Sequence, residues 1–308
     1  MIFLTLKNVV IIIIIFILLY ILRQCMRLRK IKEQNHITKE TTILITGGCL
    51  GIGRELIHQI LSLFKCKIIN IDIRESEFTS LKSLYKDQII NIKQDISKIN
   101  NIISFLEEKG INPDKIDIII NNAGIANNLP LEKLSMNNMI STMEINLLSP
   151  MKIIKAFIDR RKDKDINYKK IHFVTLCSVM SHMISGNSSD YISSKWGLFA
   201  FVESVRNEYL YNDKFIFTTV CPFAVNTGMF PYFFFSLDTK WVALEILKSI
   251  VYKEKVKYIP DFIDIPIFLY KLVPYFLSDL VQYYITNPFS KNIGRRIEND
   301  ELLKENYI

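Results

Sequence analysis

The sequence predicts an α/β chain built as a doubly wound parallel sheet, and three observations predict it. Six β-rich runs are nearly continuous in apolar residues, as strands buried on both faces should be. The stretches between them carry apolar residues at helical spacing. The two kinds of segment alternate regularly, which builds a parallel sheet with helices on both faces and right-handed crossovers. With 308 residues, the chain is long enough for one such domain with a sizeable core.

The first element is a leader, read as an apolar membrane anchor over 1–22 followed by a basic linker over 23–40. Val9 to Leu22 carries no charge, and its fourteen residues make a helix of roughly 21 Å. Extending back to Ile2 reaches about 31 Å and brings Lys7 near one end, so both a spanning and a monotopic anchor fit. The segment RQCMRLRKIK places its positive charges after the apolar run. A cleaved signal peptide has the reverse order and a small-residue cleavage site, so a retained anchor with the body on the cytoplasmic side is favoured. The formal net charge of +8 lies mostly here, where Lys7, Arg23, Arg27, Arg29, Lys30, Lys32 and Lys39 face only Glu33 and Glu40. No basic groove interleaved with aromatics accompanies these charges, which excludes a nucleic-acid partner.

The body is read as a single dinucleotide-binding catalytic domain over 41–260. Its strands are TTILIT (41–46), CKIINID (66–72), QIINIKQD (88–95), KIDIIINN (115–122), KIHFVTL (170–176) and KFIFTTV (214–220). Helices are expected over Glu55–Phe64 and Ile99–Lys109, and RRKDKDINYKK (160–170) reads as a solvated surface loop. The five cysteines, Cys25, Cys49, Cys66, Cys177 and Cys221, form no CxxC pair and have no histidine at ligand spacing. That pattern argues for reduced, mostly buried thiols, against a disulfide framework and against a bound metal.

After the first strand, TGGCLGIG places Gly47, Gly51 and Gly53 ahead of a helix. Glycines there permit a tight turn, close approach of backbone N–H groups to a pyrophosphate, and tight packing of helix on sheet. At the end of the second strand, Asp72 is placed to bind the ribose hydroxyls and repel a 2′-phosphate, which favours NAD over NADP. A strand-end Asp that caps the next helix is the alternative, and Arg74 softens the preference.

Tyr191 and Lys195 stand at i and i+4 in DYISSKWGLFAF, on one face of a helix. A lysine ammonium ~5 Å from a phenol favours the phenolate by roughly two pKa units at an effective dielectric of ~20. With TGGCLGIG, Asp95 in QDI, NNAG at 121–124, Asn146 in MEINLLSP and Ser178 thirteen residues before Tyr191, the chain resembles the short-chain dehydrogenase/reductase family between Thr42 and Thr227. CPF followed by NTGMF, VTLCSVMS and the apolar leader resemble, within it, the membrane-associated group of retinol and 17β-hydroxysteroid dehydrogenases. Phe223 departs from the family, where most members have glycine after the proline.

The resemblance implies a Rossmann fold and hydride transfer between a nicotinamide and a lipophilic alcohol, ketone or aldehyde of the retinoid or steroid class. Ser178 would then hydrogen-bond the substrate oxygen and Tyr191 would exchange its proton. Lys195 would hold the ribose and lower the tyrosine pKa, and Asn146 would maintain a water relay behind it. Gly47, Gly51, Ile52, Gly53, Asp72, Asp95, Asn121, Ala123, Gly124 and Thr227 would line the cofactor, with Asp95 at adenine and Thr227 at the carboxamide. The resemblance also implies an endoplasmic-reticulum membrane or lipid-droplet location and a homodimer through the helix bearing Tyr191. The alternative is a scaffold protein on the same surfaces with little turnover, against which the intact Asn146, Ser178, Tyr191 and Lys195 weigh.

Past Thr227, Phe230, Tyr232, Phe233, Phe234 and Phe235 follow no strand or helix period, so some of these rings must meet a ligand, a partner or lipid. Residues 261–308 form a hydrophobic extension with a polar tail. Pro266, Pro274 and Pro288 break its apolar stretch and argue against a second span. Interfacial helices, a wall around the substrate mouth, or burial against the sheet remain as readings. His182 reads as a loop histidine at the pocket rim, and Cys177 as a small apolar core residue.

Overall fold

The computed structural model describes residues 37–281 apart from 75–78, 86, 165–168 and 231–235, together with 18 and 21. Apart from Leu18, Ile21 and residues 37–40, the leader lies outside the described residues, as does the tail after 281. Among those described, no helix is long and apolar enough to cross a membrane. The chain divides into Met1–His36 and Ile37–Ile308. Ile37, in the segment read as linker, is buried in the core of the second unit.

The strands are β1 (Thr42–Thr46), β2 (Lys67–Asp72), β3 (Ile89–Lys93), β4 (Ile118–Asn121), β5 (Ile171–Leu176), β6 (Phe215–Pro222) and β7 (Val256–Ile259). All pair in parallel, in the order β3-β2-β1-β4-β5-β6-β7. The order reverses between β1 and β4, and an open parallel sheet forms its ligand crevice at the carboxyl ends of the strands beside such a switch.

Because strand side chains alternate, each continuous apolar run feeds two cores. Ile43, Ile45, Ile118 and Ile120 face helices α1 (Gly51–Phe64) and α7 (Thr239–Val251), through Leu56, Ile57, Ile60, Val242 and Ile246. Leu44, Ile119 and Phe173 face the other layer, which comprises α3 (Ile102–Glu108), α5 (Ser149–Arg161) and α6 (Ser189–Glu208). The remaining helices are α2 (Thr79–Leu84), α4 (Met136–Met143), α8 (Asp264–Leu272) and α9 (Tyr275–Val281), with Pro274 separating the last two.

Two expectations are corrected. The stretch 160–170 is not a solvated loop from its first residue, because α5 runs through Arg161, whose side chain is buried. Its guanidinium donates to the carbonyls of Pro113, Asp114 and Ile116, and Arg160 pairs with Asp114 and Glu107. A planar five-donor fork can satisfy several loop carbonyls at once, so the arginine knits this end of the sheet together. The seventh strand was not foreseen. Its inward residue Lys257 is fully buried between Glu245 and Asp261, at 2.7 and 2.8 Å, which breaks the apolar alternation a strand usually displays.

Candidate active site

The carboxyl ends of the strands open into a cavity of about 570 Å³. Gly47, Gly51, Ile52, Asp72 and Asp95 line one end, while Ser178, Tyr191, Lys195, Phe223, Thr227 and Phe230 line the other. Ala123 and Gly124, just after β4, join the two.

The glycine end is shaped as a cradle. Gly47 and Gly51 have φ of +71° and +54°, which L side chains rarely adopt. A Cβ on Gly53 would stand 2.3 Å from Gly47 O and 2.6 Å from Asn122 Nδ2, and one on Gly51 would press on Thr227. Helix α1 begins here without a side-chain cap: its N-cap is Leu50, and no acidic residue occupies the first turn. Uncapped N–H groups at the positive end of a helix dipole fit an anion, so these residues suit the pyrophosphate of a dinucleotide.

Asp72 sits at the end of β2 with Oδ2 accepting from Cys49 N and Oδ1 from Arg74 N, at 2.9 and 3.0 Å. It therefore ties down the glycine loop and the turn after β2, and does not cap the next helix, which begins at Thr79, while its side chain lines the cavity. Asp95 caps a short 3₁₀ turn through Ser97, from the cavity wall. Asn121 is placed differently from expectation. It is buried in β4 and outside the cavity lining, and the next residue, Asn122, lines it instead. Asn122 Nδ2 donates to the carbonyls of Thr46 and Gly47, at 3.0 and 2.8 Å, and so fixes the loop to β4.

At the other end, Tyr191 and Lys195 lie in the first turns of α6, both buried. Lys195 Nζ donates to Leu176 O at 2.8 Å and stands 5.8 Å from the centre of the Tyr191 ring. Burial pushes the Tyr191 phenol up to about 12, against a Ser178 hydrogen bond that pulls it down. The direction is upward, not the downward one expected, because desolvation of the buried phenolate is its largest cause. Burial also pulls the Lys195 ammonium below its ordinary range, and Cys177, a core thiol as expected, rises to about 12.

Asn146 occupies a π-helical turn, Glu144–Leu148, between α4 and α5. Its amide exchanges two 2.8 Å hydrogen bonds with the Ile125 backbone, and Nδ2 also donates to Ser194 Oγ at 3.0 Å. Ser194 in turn donates to Tyr191 O at 2.7 Å. Such π turns occur often at functional sites, because the extra residue redirects one side chain. Ser194 and Asn122 were missed by the sequence reading, since a serine inside a helix and the second asparagine of a pair carry no spacing signal of their own.

Phe230 packs edge-on against Tyr191 with ring centres 5.3 Å apart, and the rest of the aromatic run, 231–235, lies outside the described residues. His182 is not at the rim. It is buried beneath Phe199, with Nε2 3.0 Å from Tyr258 Oη and Nδ1 3.2 Å from Lys271 Nζ on α8. Burial, and then the Lys271 charge, lowers its pKa to about 4. With the folded value below the unfolded one, its contribution to stability is fully present above about pH 6.5 and is lost as pH falls toward 4. Urea unfolding between pH 7 and pH 4 is therefore expected to show a loss on the order of 3 kcal/mol that His182→Gln lacks; parallel profiles would contradict this assignment.

The chain is similar to known proteins in sequence and in fold. The family model for short chain dehydrogenases matches residues 41–234. The oxidoreductase TDA5 of Saccharomyces cerevisiae is 27% identical over 198 residues, 62% of this chain and 57% of that protein. Human epidermal retinol dehydrogenase 2 is 26% identical, covering 75% of this chain and 78% of its own length. Mouse 17-beta-hydroxysteroid dehydrogenase 13 is 26% identical, with 75% and 77% covered. A short-chain dehydrogenase/reductase from Burkholderia phymatum in complex with NAD superposes with a TM-score of 0.66 at 16% identity, over 77% of this chain and 94% of that one. One from Burkholderia cenocepacia in complex with NADP gives 0.62 at 16%, over 76% and 98%. Matched over most of its body, the chain belongs to the short-chain dehydrogenases and is an NAD(P)-dependent oxidoreductase.

Proposed function

We propose that the chain interconverts a lipophilic alcohol and its carbonyl, of the retinoid or steroid class, with Tyr191 as the acid/base and NAD(H) preferred. The observation that carries this reading is the placement of a buried tyrosine, serine and lysine at the apolar end of a cavity whose other end suits a dinucleotide. Bound there, the dinucleotide supplies the hydride donor or acceptor at its nicotinamide. Ser178 holds the substrate oxygen, and Tyr191 gives or takes the proton at that oxygen. Lys195, anchored to the Leu176 carbonyl, holds its ammonium beside the phenol, where its charge favours the phenolate during proton exchange. Asn146 steadies the same helix through Ser194. Asp72, on the wall of the glycine end, supports NAD over NADP, because a 2′-phosphate would meet its carboxylate.

Val179, Met180, Phe223, Met229 and Phe230 give the reacting end an apolar wall, which suits a substrate that partitions into lipid. The proposal includes work at a membrane or lipid-droplet surface of the endoplasmic reticulum, with the body on the cytoplasmic side. Helices α8 and α9 support it: Phe268, Leu269, Leu272, Phe276 and Leu280 are exposed, and Ile267 is the one buried side chain of α8. Replacing Phe268, Leu272 and Phe276 together with serine is expected to cut flotation with phosphatidylcholine vesicles severalfold while leaving turnover of a short soluble alcohol intact. Unchanged flotation would remove these helices from the membrane contact. Purified protein offered retinols, hydroxysteroids and long-chain alcohols with NAD⁺ or NADP⁺ tests the function itself. Oxidation of at least one class is expected, and failure with all of them would overturn the reading.

A further inference from the structure

A buried strand gains nothing by itself from an amide in its middle, since an asparagine inside a core costs free energy unless its polar atoms are hydrogen-bonded. Asn70, in β2, is fully buried. Its Nδ2 donates to Oδ1 of Asn91, its register partner on β3, at 2.7 Å, and reaches Cys49 Sγ at 3.5 Å. Its Oδ1 accepts the Gly48 N–H at 2.9 Å.

That last bond is one of three in a row. Gly47 N donates to Ile71 O, Gly48 N to Asn70 Oδ1 and Cys49 N to Asp72 Oδ2, each at 2.9 Å. Three consecutive N–H groups of the glycine loop are thus taken up by three consecutive residues of β2, which leaves the uncapped first turn of α1 to meet an anion. The fit at Gly48 is close, because a Cβ there would stand 2.4 Å from Asn70 Oδ1 and 2.4 Å from Ile57 Cδ1.

We propose that Asn70 is a positioning residue for the dinucleotide. Its amide, held by Asn91, fixes the stance of Gly47–Cys49, and with it the Asp72 carboxylate and the start of α1. Asn70 itself is not part of the cavity lining. The residues of proton exchange hang from β5 and α6, across the sheet from this amide, so its loss falls on dinucleotide binding and not on the chemical step. The inference rests on the reading of the glycine end as a dinucleotide site.

The test uses the full chain and titrates NADH and NADPH by energy transfer from its two tryptophans, Trp196 and Trp241. Asn70→Leu removes the acceptor, whereas Asn70→Asp keeps it. The leucine variant is expected to bind NADH about tenfold more weakly, the worth of one hydrogen bond left unmade. Its kcat at saturating dinucleotide and its KM for the alcohol should stay within about twofold. The aspartate variant keeps the acceptor for Gly48 N–H but loses the donor held by Asn91, so its affinity should fall between those of the wild type and the leucine variant. A folded leucine variant with unchanged affinity would overturn the proposal, as would a uniform fall of affinity, kcat and alcohol KM in both variants. Should the leucine variant not fold, Asn91→Ala, which releases the amide but keeps its oxygen, carries the test. Weaker NADH binding then supports the proposal, and unchanged binding overturns it. Wild-type protein that binds neither NADH nor NADPH would instead overturn the dinucleotide reading.

Discussion

Tyr191→Phe is expected to lower turnover by about 10²–10⁴-fold, the usual worth of a positioned proton donor, while NADH affinity stays within about threefold. The ring is retained, so the edge-on contact with Phe230 at 5.3 Å and the packing of α6 survive, and only the hydroxyl is lost. Among the described residues, the other candidate groups are held away from this task. Cys177 is held as a thiol by burial, with its pKa raised to about 12, and His182 lies outside the cavity beneath Phe199. Asp72 and Asp95 line the glycine end, where each accepts backbone N–H groups. Steady-state kinetics with a saturating dinucleotide, alongside a binding titration, separates the two effects. Turnover retained within tenfold would mean that a different group exchanges the proton.

The second large effect is expected from Gly53→Ala. The added carbon would meet Gly47 O at 2.3 Å and Gly48 Cα at 3.0 Å, and backbone atoms on both sides cannot swing away as a side chain tip could. Overpacking of this kind costs about 1–3 kcal/mol, and the strain falls on the turn that must approach the pyrophosphate. Dinucleotide affinity should drop between about tenfold and a hundredfold, with a matching loss in urea midpoint. Gly110→Ala is the control. Gly110 has φ of +72° but open space around it, so alanine there meets backbone strain alone, about 1–2 kcal/mol, far from the cavity. Equal dinucleotide binding by the two variants would show that the close approach at Gly53 does not shape the site.

The fold was legible where burial on both faces forces continuous apolar runs, as in TILIT, KIINID and IHFVTL. It was illegible where one polar group does structural work inside an element. Lys257 hides β7 because its charge is neutralised by Glu245 and Asp261, partners twelve residues before and four after it. Arg161 made the end of α5 read as loop for the same reason: three of the carbonyls it donates to lie 45 to 48 residues earlier in the chain.

Within the site, the glycines, Tyr191 and Lys195 stand out by spacing, because a turn or a helix face dictates their separation, whereas Ser178 stood out only through the family resemblance. Asn70, Asn122 and Ser194 act across the fold or inside a helix turn, on backbone atoms that no local pattern reveals. The pKa of Tyr191 was misjudged because one helix supplies Lys195, whereas the burial that raises it comes from residues spread along the chain.

Transfer of deuterium from [4-²H]NADH, prepared as each C4 epimer, tests the central claim most directly. Retinal, a ketosteroid and a long-chain aldehyde would be offered separately, and the product analysed by mass spectrometry. One epimer is expected to place a single deuterium on the carbinol carbon of at least one product with the wild-type protein, and Tyr191→Phe to form almost none. No labelled alcohol from any of the three, in a protein shown to bind NADH, would contradict the claim that this cavity reduces a lipophilic carbonyl.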